Sequence, residues 1–480
     1  MDLNVFAIQF INVNTIRLVL APKDIRKLTE KVITSLYSLL NIEKTKEHIN
    51  FVFDGDPLKT TEDTSFEYLI CMLLKNYLEH GWHLEATMCL NRYGENGSTI
   101  IFKNRETERK ETFIACLSLD STNQLNIIGL KDITSKVRVE IKNCWPQGIK
   151  DEFDTSAGSQ ITYQFTLKGS PWEPKTKEER YHNPNLIRAV LNSLYSIGWV
   201  YLGAISTYEF KLNKLYFKFT PDKVSPGSMM FALRLSGPES LTIINTNPFL
   251  QDMIRSLIKS TWKHGIKEEK PVYNSYKFKL KGDPWLAKSN DAIDSNRLIN
   301  KLIEMLKQNG HDLYSICDTT SQYGRLSTLF FQKTSAELSI SRVLSLSFHG
   351  TSLIRVVDDV SEFARLLRSY IASGWPKGIN EEAVVNSSIQ FRLNGDPFSS
   401  ETAAVASSAD HVKDEFTILV VVMSLIDSIN GYGFFYIGNA DLNCKVIREQ
   451  RSRTRWDVRD KCIHTLLFQY KPQISVAQTN

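Results

Sequence analysis

Seven cysteines in 480 residues, at 71, 89, 116, 144, 317, 444 and 462, form no Cys-x-x-Cys pair. An odd, scattered set supplies no disulfide framework and fits reduced thiols, so the expected setting is intracellular, cytoplasmic or nuclear. Long apolar runs are also missing. None approaches the roughly 18 uninterrupted residues of a membrane-spanning helix. The apolar stretch from Val5 to Leu20 is broken by Gln9, Asn12, Asn14 and Arg17, which reads as an alternating strand and not as a signal peptide. The two glycosylation sequons, Asn96-Gly97-Ser98 and Asn386-Ser387-Ser388, therefore carry no weight.

Catalytic signatures are absent too: there is no Gly-x-Ser-x-Gly, no phosphate-binding Gly-rich loop with Lys-Ser/Thr, no His-Glu-x-x-His and no dinucleotide fingerprint. His80 and His83, with Cys71 and Cys89 nearby, fit no compact zinc spacing. No cofactor or metal is expected. The net charge of +5 is mild for a dedicated nucleic-acid binder.

What the chain does have is repetition. Four corners of the form Gly-x-Pro-apolar recur: Gly55-Asp56-Pro57-Leu58, Gly169-Ser170-Pro171-Trp172, Gly282-Asp283-Pro284-Trp285 and Gly395-Asp396-Pro397-Phe398. Their glycines are 114, 113 and 113 residues apart. A period this regular marks a repeated structural unit and takes precedence over any local reading. Four units follow, at 1–104, 105–221, 222–334 and 335–474, with a tail at 475–480. Each is of ordinary domain size and able to bury a core.

The run into each corner alternates, with mostly polar residues between the apolar ones. Phe165 and Leu167, Phe278 and Leu280, and Phe391 and Leu393 are separated by Thr166, Lys279 and Arg392. Period-two alternation places one set on a buried face and the other in water, which argues against a parallel sheet covered on both sides. Glycine permits the turn, proline stops the ladder, and the residue after it folds back onto the core. A helix-period run then ends at Gly81, Gly198, Gly310 or Gly433. The expected order is β-β-α-β-α-β-β: a two-layer α+β unit with one solvent-facing sheet face. Short connections such as Asn104–Glu111 and Pro221–Ser228 favour packed neighbours and leave open a hairpin pairing across a boundary. The stretches Ser399–Ser408 and Ser475–Asn480 are expected to be the most mobile.

Features present in every copy are poor catalytic candidates, because a fold needs every core and an enzyme needs one site. The corners could cradle an anion ahead of a helix, but turn chemistry accounts equally well for Asp or Ser after the glycine. What differs between copies is more telling. Unit 4 carries an insertion at 448–461, with Arg448, Arg451, Arg453, Arg455, Arg459 and Lys461 against three acids, and with Trp456. Arginine forks suit carboxylate and phosphate, and the indole offers a stacking face. The plainer reading is a long solvated hairpin. A second basic set, Lys277, Lys279 and Lys281, lies on the wet face of one strand.

These readings favour a non-enzymatic interaction scaffold that binds a protein partner, with an acidic segment as its target. Nucleic-acid or phosphate binding through the Arg-rich hairpin is the alternative. A small-ligand binder or enzyme with a cleft between repeats is the third.

Overall fold

The computed structural model describes residues 3–471 except 60–63, 89–96, 106–110, 130–131, 157–159, 209–213, 224–228, 321–325, 335–340, 396, 399–408 and 443–464. The insertion at 448–461, with all of its candidate residues, and the tail lie outside the described residues.

Unit 1 runs β1 (Val5–Ile11), β2 (Thr15–Val19), α1 (Lys23–Leu36), β3 (Leu39–Lys44), β4 (His48–Phe53), α2 (Ser65–Glu79), β5 (Trp82–Met88) and β6 (Thr99–Asn104). Unit 2 repeats the order with β7 (Ile114–Asp120), β8 (Gln124–Ile128), α3 (Thr134–Cys144), β9 (Ile149–Asp154), β10 (Thr162–Leu167), α4 (Lys177–Ser196), β11 (Trp199–Ile205) and β12 (Lys214–Phe219). Unit 3 has β13 (Met230–Ser236), β14 (Ser240–Ile244), α5 (Pro248–Thr261), β15 (Ile266–Val272), β16 (Ser275–Leu280), α6 (Ser289–Gln308), β17 (His311–Cys317) and β18 (Thr328–Lys333). Unit 4 has β19 (Arg342–His349), β20 (Leu353–Val357), α7 (Ser361–Gly374), β21 (Ile379–Val385), β22 (Ser388–Leu393), α8 (Ala409–Ser428), β23 (Phe434–Ala440) and β24 (Thr465–Tyr470).

The protein is α+β, with four six-stranded antiparallel sheets. The expected order lacked one strand per unit, the one after the first helix. In unit 2 that strand, β9, reads Ile-Lys-Asp-Glu-Phe-Asp and is exposed along most of its length. It is a sheet edge, so no alternation of burial marks it. Its counterparts β3, β15 and β21 are edges too, and the sheet order in unit 1 is β3-β4-β2-β1-β6-β5. A salt bridge ties each edge to the first helix: Arg138 to Glu152, Arg255 to Glu269 and Arg368 to Glu382. Unit 1 swaps the charges, with Glu30 on the helix and Lys44 on the strand 3.2 Å apart.

Among the described residues no hairpin forms across a unit boundary. β6 pairs with β1 and β5, and β7 pairs with β8 and β12, so every sheet stays within its unit.

The corners are built as the repeat implies. Gly55, Gly169, Gly282 and Gly395 have φ of 78°, 75°, 77° and 76°, the left-handed region that glycine enters without strain. The residue after each proline donates its backbone N–H to the turn between the first two strands: Leu58 to Val13, Trp172 to Thr122, Trp285 to Pro238 and Phe398 to Thr351. These four side chains are buried. The indoles of Trp172 and Trp285 also donate to the carbonyls of Gln124 and Ser240.

The single wet sheet face requires correction. It holds for the outer strands, but the first strand of each unit is buried on both faces. In β7, Ile114 and Cys116 enter the core of unit 1, while Ala115, Leu117 and Leu119 enter that of unit 2. The covering layer is the second helix of the preceding unit: α2 packs on β7, α4 on β13 and α6 on β19. The series closes, because α8 packs on β1 and Val5, Ala7 and Val19 join the core of unit 4. Each second helix therefore lies between two sheets, and α2 is apolar around most of its circumference. At the centre β5 meets β11, β11 meets β17, β17 meets β23, and β23 meets β5. The chain is a closed ring of four α+β units.

Candidate functional site

The ring sorts the polar residues into those sealed between units and those at the surface. The strongest sealed cluster joins units 1 and 2. Lys214, on the first residue of β12, forms ion pairs with Asp120 at the end of β7 and, at 3.3 Å, with Glu67 on α2. Asp120 also accepts from the Ser118 hydroxyl and from the Asn126 amide, the latter at 2.9 Å. Lys214, Glu67 and Asp120 are 1%, 3% and 4% exposed. Burial alone would lower the Lys214 pKa, but the two carboxylates more than reverse it, so the ammonium is held charged. This set of groups could do acid–base work if substrate reached it. Sealed as it is between a helix and a sheet, it is an ionic peg between two units.

Other junctions pair different groups; between units 2 and 3, Arg188 of α4 donates to the Met230 carbonyl at 3.3 Å. Between units 3 and 4, Asn296 and Asn300 donate to the hydroxyls of Ser347 and Ser345 at 3.4 and 3.3 Å. Between units 4 and 1, Gln9 donates to Thr99 within the covered sheet face.

The anion cradle considered at the corners exists in unit 2, and the protein fills it. Glu179 accepts from the backbone N–H groups of Ser170, Lys175 and Thr176 and from the Gln147 amide, at 2.9–3.1 Å. The Thr176 hydroxyl oxygen in turn accepts from the Glu179 N–H, completing a capping box on α4. Burial would raise this carboxyl, but its four donors outweigh that and hold its pKa at about 2.

Lys277 and Lys279 lie on β16, as expected, with Lys281 just beyond it and exposed. Acids surround the stripe. Lys279 pairs with Glu268 at 3.2 Å and with Glu239 at 3.7 Å; Lys267 pairs with Glu239, and Lys270 with Glu268. The bond to Glu268 raises the Lys279 pKa, whereas burial, followed by the charges of Lys279 and Lys270, lowers that of Lys277. Lys279 is thus held among acids of its own sheet, and the stripe is not a bare cationic patch.

Arg448, Arg451, Arg453, Arg455, Trp456 and Arg459 lie outside the described residues, in the connection that joins β23 to β24. Residues 441–464 separate β23 from β24, against 89–98, 206–213 and 318–327 in the other units. At the base of this connection the Asp441 N–H donates to the Ser327 hydroxyl at 2.9 Å, and the Ser327 N–H donates to the Asp441 carbonyl at 3.1 Å. Ser98 and Ser206 exchange the same pair of bonds between units 1 and 2.

Repeat reasoning passed over a feature of units 2 and 4 alone, a Tyr-x-Gly on the hub strand. Tyr201 donates its hydroxyl to the Ile316 carbonyl at 3.3 Å, and Tyr436 donates to that of Thr87 at 2.8 Å. Gly203 and Gly438 admit the side chains of Thr87 and Ile316; a Cβ there would lie 3.2 and 2.9 Å from them. Odd and even copies therefore alternate around the centre. The signal was legible as Tyr201-Leu202-Gly203 and Tyr436-Ile437-Gly438 in two copies only.

Among the described residues no three His, Cys, Asp or Glu side chains are grouped as a metal ion would need, and no helix is long and apolar enough to cross a membrane.

One domain-family model matches four successive stretches of the chain, residues 4–103, 113–218, 229–332 and 342–452, which together make up most of it. No curated protein and no solved structure matches.

Proposed function

Because the chain belongs to the family defined by that domain, carried here in four copies, we propose that it is an interaction scaffold and not an enzyme. Its contact point is the basic insertion of unit 4, and its target is an acidic segment of a protein partner. The observation that carries this reading is the lengthened connection between β23 and β24, a departure from repetition in a ring whose units otherwise match element for element. The alternatives on the page are weaker. The Lys214 cluster is sealed, and Lys279 on β16 already has two carboxylate partners. The insertion carries a local excess of three positive charges and joins β23, a strand of the hub, to β24. A fixed base lowers the cost of ordering a charged loop on a partner.

The test is affinity purification of the full chain from cells, with partners identified by mass spectrometry. It is run beside a variant with Arg451, Arg453 and Arg455 changed to Ala. The variant should melt at the parent temperature and lose the recovered partner. Unchanged recovery would remove the insertion from the account. Recovery of RNA or DNA, with binding that falls steeply as salt rises, would replace the protein-partner reading with the nucleic-acid one.

A further inference from the structure

The last strand of each unit opens on Thr99, Thr328 or Thr465, and in unit 2 alone on an amine, Lys214. The first strand ends on Ile11, Ser236 or His349, and in unit 2 alone on a carboxylate, Asp120. β12 and β7 are adjacent antiparallel strands, with Leu215 opposite Leu117, and their two exceptional residues meet as an ion pair. What the shared fold requires recurs in every copy. This pair does not.

The groups around the pair are those that joining an amine to a carboxyl needs. Lys214 Nζ contacts Asp120 Oδ1. The other oxygen, Oδ2, accepts from the Ser118 hydroxyl and, at 2.9 Å, from the Asn126 amide. These two donors stand where negative charge grows when the carboxyl carbon is attacked. Glu67 Oε1 lies 3.3 Å from Nζ, within reach of its proton. Cys116 and Tyr216, on the same two strands, are buried in the apolar core of unit 1. Held in contact, the reactants are spared the entropy cost of meeting. Two charges are also costly to keep out of water, and an amide carries none.

We propose that Lys214 and Asp120 join into an intramolecular isopeptide bond, with Glu67 as the catalytic base and acid. The resting pair is ammonium and carboxylate. One proton passes from Nζ to Asp120 Oδ1, leaving an amine and a carboxylic acid. The amine attacks Asp120 Cγ while Ser118 and Asn126 hold Oδ2. Glu67 takes a second proton from Nζ and delivers it to Oδ1, which departs as water. The new amide keeps one N–H, and Glu67 ends as the carboxylate it began. No oxidant, cofactor or second substrate enters the balance. The bond ties the first and last strands of unit 2 through residues 94 positions apart, in a chain whose Cys71, Cys116, Cys144 and Cys317 are free thiols.

Intact-mass spectrometry of the denatured full chain tests this. The parent should weigh one water less than its sequence, and a protease digest should contain a branched peptide joining the Lys214 and Asp120 segments. Glu67→Gln keeps the shape of the side chain without the base. Followed from synthesis in a cell-free system, it should form the bond about 100-fold more slowly than the parent. Lys214→Arg keeps a cation without the nucleophile and should stay at full sequence mass; circular dichroism reports whether each variant folds. A parent of full sequence mass would overturn the proposal whether or not the variants fold. So would a lost water that maps to other residues or persists in Lys214→Arg. Bond formation in Glu67→Gln at the parent's rate would overturn the role given to Glu67.

Discussion

The hydroxyl of Tyr436 donates to the carbonyl oxygen of Thr87 at 2.8 Å, joining residues 349 positions apart and closing the last unit on the first. Tyr201 makes the same bond to Ile316 between units 2 and 3, so the closing contact is built like one inside the chain. Tyr436→Phe should lower stability by about 1 kcal/mol, because the Thr87 carbonyl loses a partner at a packed centre. Urea unfolding followed by tyrosine and tryptophan fluorescence measures this. A single transition moved to lower urea is expected.

Lys214 neutralises two buried carboxylates from different units. Lys214→Met should cost about 3–5 kcal/mol, since it strands Asp120 and Glu67 without their cation. Replacing all three by apolar side chains of similar size should recover most of that loss. The comparison is made on urea midpoints. A single variant as stable as the parent would show that the peg contributes little.

Glu179 gives a pH signature. Its carboxyl is depressed to about 2, so the stability it contributes is complete above the ordinary carboxyl range and is lost as pH falls toward 2. Glu179→Gln should therefore be destabilised at neutral pH by about 1–3 kcal/mol, and the gap to the parent should close between about pH 4.5 and pH 2. Thermal melts of both proteins across that range check the sign. A gap that widened on acidification would contradict the geometry.

Much of the fold was legible in the sequence, for identifiable reasons. The corners at Gly55, Gly169, Gly282 and Gly395 repeat because each unit makes the same turn, and strands such as Tyr276–Leu280 alternate because one face is buried. The edge strands were not legible, since solvent along β9 and β21 leaves no burial pattern to write. Ring closure was written in the sequence but not read. The apolar run from Ile418 to Met423 in α8 and the two-sided burial of Ile114–Leu119 both require a second covering layer. At the candidate site, the lysine stripe read as positive because its partners Glu239 and Glu268 lie on other segments, and only folding brings them together. The Lys214 cluster was hidden for the same reason, with Glu67 a whole unit away from its partner.

The closed ring is tested most directly by a circular permutant. A flexible linker of about ten residues would join Lys471 to Asn4, and new termini would be cut between units 1 and 2 at 106–110. In a closed ring that join spans the same kind of gap that residues 105–113 span between β6 and β7. The permutant should unfold in one cooperative urea transition near the parent midpoint. A permutant that fails to fold, or that melts in separate steps while the parent melts in one, would contradict closure.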